Sequence, residues 1–454
     1  MILGSKTPVR RGQAPDPRKA LFVRWQCDEG SLHRVEQCFV RECGYDLAVD
    51  LGQVRAVNGE LMSFVAEVFA PDQPVKGAER RAELWAHHLR GSLLTDIERK
   101  TATGMGRVLG VPTQSLNHLV TDSPWRWKPV RARIAQRAQA LLRPHAWAVD
   151  DTTFLKDGHD TVGVARQHSG RAGGIANCQA AVTVTACGKT GGIGSAVPLD
   201  WRLFLPKSWN PEVSGERRLS CRVPDEVAHR RKWELVLDVL DGLLGLGLTA
   251  PPILADHDYG KVGQFRDGLA ARGLGFVVQV NTNINLLTWR TEPDSPWSRE
   301  GKHQTATEMA TQIPTAKKVA VSWHTSDGEQ VGRFSLLRVR EAGIPVRQRA
   351  SKHKTTLPDR WLVIAWDDAG EKPTHFWLAH LPDTAKPSLQ RLVRLAKARW
   401  GIETGYRELK DTLGIDHYEG RTWPGWHRHV TLVTAALLFL TEYRTRTTKH
   451  AAPV

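Results

Sequence analysis

At 454 residues, 41% apolar and 24% charged, the chain has the make-up of a globular protein of about two to four domains. Six cysteines exclude a disulfide scaffold and point to a reducing cytoplasm, and the longest apolar run, Val430 to Leu440, is too short to cross a bilayer, so no membrane partner is expected. The net charge of +15 argues instead for a polyanionic partner, because each neutralised phosphate releases condensed counterions.

Residues 1–22, "MILGSKTPVRRGQAPDPRKALF", are basic and rich in proline and lack an apolar leader, so they are expected to be loose. Cys27, His33, Cys38 and Cys43 cluster without the close pairing of common zinc sites and read as structural thiols. Residues 23–144 carry a helical pattern. "AERRAELWAHHLRGSLLTDIERK" places Leu84, Trp85, Leu89, Leu93, Leu94 and Ile97 near a 3.6-residue period. "MGRVLGVPTQSLNHLV" is punctuated as a helix–turn–helix, with Gly-Val-Pro between two short helices, although plain three-helix packing explains it equally well. With the basic "SPWRWKPVRARIAQR" following, this part is expected to be an N-terminal α-helical DNA-binding domain.

Residues 145–280 switch to an α/β pattern. "AWAVD", "NCQAAVTVTAC" and "GSAVPLDWRLFLP" read as strands, "DEVAHRRKWELVLDVLDGLLGLGL" as a long amphipathic helix, "PPILAD" as a buried strand, "VGQFRDGLAARGL" as a helix and "GFVVQV" as a strand. That order is the order of the ribonuclease H-like fold. Residues 281–387 are β-rich, with "KKVAVSWHT", "GRFSLLRVR", "RWLVIAWDD" and "THFWLAHLP" as short strands around the basic segment "RQRASKHK". Residues 388–445 return to helix, and 446–454 form a tail. The β-rich block is expected to be an insertion before the last helices of the α/β domain.

Two strands end in acid. "AWAVDD" runs into Asp150 and Asp151, and "PPILAD" into Asp256. Function gathers at the carboxyl ends of strands in open α/β sheets. Taken singly, turn chemistry accounts for either acid as well as a site does. In "KARWGIETGYRELKDTLG", Arg399, Glu403 and Lys410 fall within about 40° of one another on a regular helix, and Arg407 joins the same stripe. A solvated salt-bridge ladder has such a pattern too, but Gly401 and Gly405 weaken the helix beside the acid and imply a close approach to its backbone.

Arg399-x3-Glu403-x6-Lys410 resembles the Y-x2-R-x3-E-x6-K signature of bacterial insertion-sequence DDE transposases. Asp151-Thr152-Thr153 resembles their first motif, D-x-T, and "LADHDYG" their second; "VGVARQHSG", "IANCQAAV" and "HYEGRTWPGWHRHVTL" resemble one branch of that family. The resemblance covers about Trp147 to Leu440, and one position departs: Ala396 stands where the signature has Tyr.

The resemblance implies a ribonuclease H-like catalytic domain that binds terminal inverted repeats, cleaves DNA and joins 3′-hydroxyl ends to target DNA. Asp151, Asp256 and Glu403 would be the catalytic and metal-binding carboxylates, with Asp150 in support. Three carboxylates without His or Cys suit Mg²⁺, with Mn²⁺ able to substitute. Arg399, Arg407 and Lys410 beside the acid, and Arg347, Arg349, Lys352 and Lys354 in a phosphate-contacting loop, would hold double-stranded DNA. Trp289, Trp297, Trp323, Trp361, Trp366 and Trp377 are candidates for stacking on a flipped base. A homodimer in a synaptic complex, in the bacterial cytoplasm at the nucleoid, is the implied setting. The alternatives are a metal-dependent DNA nuclease of the same fold, or a domesticated transposase kept as a DNA-binding protein.

Overall fold

The computed structural model describes residues 51–71, 77–94, 97–190, 193–288, 303–325 and 328–450. The basic N-terminus, the cluster from Cys27 to Cys43, Trp289, Trp297 and the last residues of the tail lie outside the described residues.

Among the described residues five helices come first: α1 (Leu51–Val68), α2 (Ala78–Leu93), α3 (Ala102–Leu109), α4 (Thr113–Thr121) and α5 (Trp127–Leu142). The Thr101 hydroxyl caps α3 by accepting from the Gly104 N–H at 3.1 Å. Gly110 ends that helix at φ 68°, a left-handed position that glycine takes without strain, and Pro112 starts α4, so the Gly-Val-Pro break falls where the sequence places it.

The strands and helices that follow are β1 (Ala146–Leu155), β2 (Ala165–Ser169), β3 (Gly174–Thr190), β4 (Ile193–Phe204), α6 (Pro211–Ser220), α7 (Lys232–Gly245), β5 (Ile253–Ala255), α8 (His257–Gly260), α9 (Gly263–Ala271) and β6 (Phe276–Val280). Next are β7 (Asn285–Thr288), β8 (Gln304–Thr305), α10 (Ala306–Thr311), β9 (Val319–Thr325), β10 (Gly328–Glu341), α11 (Ile344–His353), β11 (Asp359–Trp366) and β12 (Pro373–His380). The last α-helices of the described residues are α12 (Leu389–Ala398), α13 (Trp400–Arg407) and α14 (Trp423–His450).

One large mixed sheet runs β2-β3-β1-β5-β6-β12-β11-β10-β7-β8, with β4 on β3 and β9 on β10. β1, β5 and β6 are parallel neighbours, while β3 and β4 continue antiparallel from β1. The β-rich block extends this same sheet: β12 pairs antiparallel with β6, Phe376 opposite Val280, and so satisfies what would be an open edge. Alternation along β1 sets two apolar faces. Ala146 and Ala148 pack with Leu392, Leu395 and Ile402 of α12 and α13, whereas Trp147 and Val149 belong to the core shared with α5, α7 and α14. The N-terminal helices are built into that second core through Arg131, which is buried and donates to Asp200 Oδ1 (3.1 Å), Thr431 Oγ1 (2.7 Å) and the His427 carbonyl (2.8 Å).

Three local departures from the sequence expectations have physical causes. The long helix expected over "DEVAHRRKWELVLDVLDGLLGLGL" begins only at Lys232, where Glu234 caps it by accepting the Arg231 N–H. "RQRASKHK" lies in a helix, not a loop: Pro345 opens α11 with its φ already helical, and Lys354 closes it at φ 52°. The helix over Ser388–Ile415 is broken at Arg399, and α13 runs into a π-helical turn, Glu408–Thr412. The wider turn means that the regular stripe through Arg399, Glu403 and Lys410 does not continue unbroken.

Glu341, at the end of β10 and fully buried, accepts from Arg266 Nε of α9 (3.0 Å) and from Arg360 Nε of β11 (2.9 Å). Burial alone would raise the Glu341 carboxyl, but the two guanidinium groups outweigh it and hold it down at about 2. The three side chains tie the helix after β5 to the extended half of the sheet.

Candidate active site

β1 does not end in acid as expected but runs on through Asp150 and Asp151 to Leu155; Asp150 lies one residue past Val149, the last residue of β1 paired with the parallel strand β5, and Asp256 directly follows β5. One nitrogen of Arg399, Nη2, donates to both, to Asp150 Oδ2 at 3.2 Å and to Asp256 Oδ2 at 3.3 Å. Asp150 Oδ1 accepts the Asp151 N–H at 2.9 Å. Burial pushes the Asp150 carboxyl up to about 7; Asp256 and Asp151 push the same way, and Arg399 opposes them. Asp256 also caps α8, its Oδ1 accepting from the N–H groups of Asp258 (3.0 Å) and Tyr259 (3.3 Å). That helix sits so close to β6 that a Cβ on Gly260 would lie 1.9 Å from the Gln279 carbonyl oxygen. Gly260→Ala is therefore expected to destabilise the protein by about 3 kcal/mol through overpacking, read as a lowered urea midpoint; an unchanged midpoint would show that α8 can shift freely.

Asp151 does not join this pair. Consecutive strand residues point to opposite faces, and Asp151 continues the face of Trp147 and Val149. There Lys232 Nζ lies 2.6 Å from its Oδ2, and the buried Tyr259 hydroxyl donates to its Oδ1 at 3.4 Å. The carboxylate that meets Asp256 is thus Asp150, the residue expected only in support. The alternation that separates the two acids is legible in "AWAVDDTTF"; Lys232 and Tyr259, which hold Asp151, carry no comparable signal.

Glu403 is exposed on α13 and has no ion-pair partner among the described residues. Its helix does make the close approach expected from the glycines: a Cβ on Gly405 would meet Ala196 of β4 at 3.1 Å. Among the described residues no three His, Cys, Asp or Glu side chains converge to hold a metal ion as they stand. Lys410 is half-buried, which lowers its ammonium; Asp416 opposes that first, and Asp150 contributes in the same sense. Arg407 is exposed.

The basic segment divides. Arg347 is buried, its Nε donating to the Ala342 carbonyl at 2.8 Å, and Arg349 is bound to Asp267 of α9 at 2.6 Å, so both are turned to the protein. Lys352 and Lys354 are exposed. Of the stacking candidates, Trp366 and Trp377 are buried, while Trp323 and Trp361 remain partly accessible.

Two carboxylates just past the last paired residues of two neighbouring parallel strands, spanned by one cationic group, form the kind of oxygen-donor site that enzymes acting on phosphodiesters use. A family described as DDE superfamily endonuclease matches residues 73–335, more than half of the chain, and the chain belongs to that family. Among solved structures, the crystal structure of the NurA nuclease from Sulfolobus solfataricus is similar over 58% of this chain and 78% of its own, at 11% identity and a TM-score of 0.25. Among curated proteins none matches. No helix among the described residues is long and apolar enough to cross a membrane.

Proposed function

We propose that the protein is a DNA transposase, cutting at terminal inverted repeats and joining the resulting 3′-hydroxyl ends to target DNA. The observation that carries this is the meeting of Asp150 and Asp256 on one Arg399 nitrogen, in a chain of the DDE endonuclease family. The strand order β4-β3-β1-β5-β6, with acids just past the paired stretch of β1 and β5, accords with a ribonuclease H-like catalytic core. The net charge of +15 accords with a nucleic-acid partner.

The donor set fits a divalent cation. Both groups are hard carboxylate oxygens, and Arg399 already places positive charge between them. Asp150 and Asp256 are the residues we assign to holding Mg²⁺ or Mn²⁺, with Glu403 as the third carboxylate. When bound, such an ion supplies activation of the attacking water or 3′-hydroxyl and stabilisation of the leaving oxygen. Asp256 is held for that task by the two α8 N–H groups on its Oδ1, which leave its other oxygen turned towards Asp150 and Arg399. Lys410, Arg407, Lys352 and Lys354 are the cations we assign to the DNA backbone; Arg347 and Arg349, spent on the protein itself, are withdrawn from that role. A homodimer would be the unit that holds two ends together.

The test is a supercoiled plasmid carrying the inverted repeats that flank the gene, incubated with the protein and Mg²⁺. Joined products are expected. Cleavage without joining would reduce the assignment to a metal-dependent nuclease, and retarded but uncut DNA would remove the enzymatic reading altogether.

A further inference from the structure

We propose that Arg399 is a built-in counter-cation: its guanidinium holds the place between Asp150 and Asp256 in the metal-free protein and leaves it when a divalent ion arrives, becoming free to engage a DNA phosphate. This rests on the assignment of Asp150 and Asp256 as the metal-holding pair.

The geometry carries the inference. A single nitrogen, Nη2, contacts one oxygen of each acid, so the space that a shared cation would take is already filled by a positive group. The guanidinium is poorly held otherwise. Arg399 Nε is buried and has no hydrogen-bond partner among the described residues. Compare Arg131, which spreads its donors over Thr431, Asp200, Trp201 and His427. The backbone at Arg399 is also a junction, because α12 ends and α13 begins there. A side chain at a break between two helices can be re-aimed by a small change at the joint, without unwinding either one.

Charge accounting gives the direction. Holding a metal needs both carboxylates ionised, and in that state one guanidinium leaves a single uncompensated negative charge. A divalent ion neutralises the pair by itself, and a guanidinium still wedged at hydrogen-bond distance would then be repelled by it at low effective dielectric. Metal and Arg399 therefore compete for the same oxygens. Anything that gives the guanidinium another anionic partner, such as a backbone phosphate, relieves that competition. Metal and DNA binding must then favour each other, and by linkage the enhancement is equal in both directions. The device would keep the carboxylates compensated while the protein is off DNA, and make the site receptive where a phosphodiester is present.

The experiment measures Mn²⁺ binding directly, from the electron paramagnetic resonance signal of the free ion, with and without a short DNA duplex. Arg399→Gln is expected to bind Mn²⁺ about tenfold more tightly than wild type without DNA. Adding duplex is expected to tighten Mn²⁺ binding in wild type but to leave Arg399→Gln nearly unchanged. Arg399→Lys keeps the charge on a single ammonium and guards against misfolding of the glutamine variant; it is expected to fall between the two. Lys410→Gln removes a cation that Asp150 senses but that does not bridge the pair, and so sets the general electrostatic baseline. Binding in the Arg399 variants no tighter than in wild type, or no tighter than in Lys410→Gln, overturns the proposal. Asp150→Asn and Asp256→Asn separate this from the site assignment: if they bind Mn²⁺ as wild type does, the pair is not the metal site, whatever Arg399 does.

Discussion

Asp150→Asn is expected to lower Mg²⁺-dependent DNA cleavage by on the order of 10³-fold, while Asp151→Asn stays within about tenfold of wild type. The two residues are adjacent and both acidic, so the contrast depends wholly on which face of β1 each one occupies. Asp150 shares a guanidinium nitrogen with Asp256, on the face that α12 and α13 cover. Asp151 is engaged by Lys232 and Tyr259 on the other face. Its asparagine variant would lose part of a half-exposed ion pair and about 1 kcal/mol of stability, which thermal unfolding would register separately from activity. The measurement is initial cleavage rate on a plasmid substrate for both variants alongside wild type. A dead Asp151→Asn beside an active Asp150→Asn would restore the assignment to Asp151 and refute the geometric one.

The second large effect is on stability. Glu341→Gln is expected to cost about 3–5 kcal/mol, because it leaves Arg266 and Arg360 buried without the carboxylate that compensates them. Its pH dependence has a definite sign. The folded carboxyl sits at about 2, below the ordinary glutamate value of 4.5, so the unfolded chain binds the proton more readily. The stabilisation is complete above about pH 4.5 and is lost as pH falls through about 2. Urea midpoints of wild type and Glu341→Gln should thus lie furthest apart near neutrality and converge in acid. A gap that is constant with pH would mean that the loss comes from packing and not from charge.

The way in which the acids and the arginine meet shows what could be read from residue order and what could not. Asp256 at the end of a short apolar strand was legible, since Ile253 and Leu254 need burial and Asp256 caps the turn that follows. The glycine beside Glu403 correctly announced a close backbone approach, met by Ala196. The regular stripe from Arg399 to Lys410 was not secure, because a helix break and a π-turn cost little locally and are decided by what the helix packs against. "RQRASKHK" misled for a related reason. Its charge pattern describes a solvated or DNA-facing run, yet Ala342 and Asp267 draw two of its arginines inward.

By itself, the sequence determined the order of the main strands and helices, the apolar faces with their periods of two and 3.6, and the acid that follows β5. Those properties are local, set by side-chain alternation and burial over a few residues. Tertiary structure decided the partners. It placed β5 beside β1, turned Asp150 and not Asp151 towards Asp256, and brought Arg399 from the far end of the chain between them. Alternation guarantees that neighbouring acids part to opposite faces, but which face receives the arginine depends on how helices close over the sheet, and that is settled only when distant segments compete for the same apolar surface.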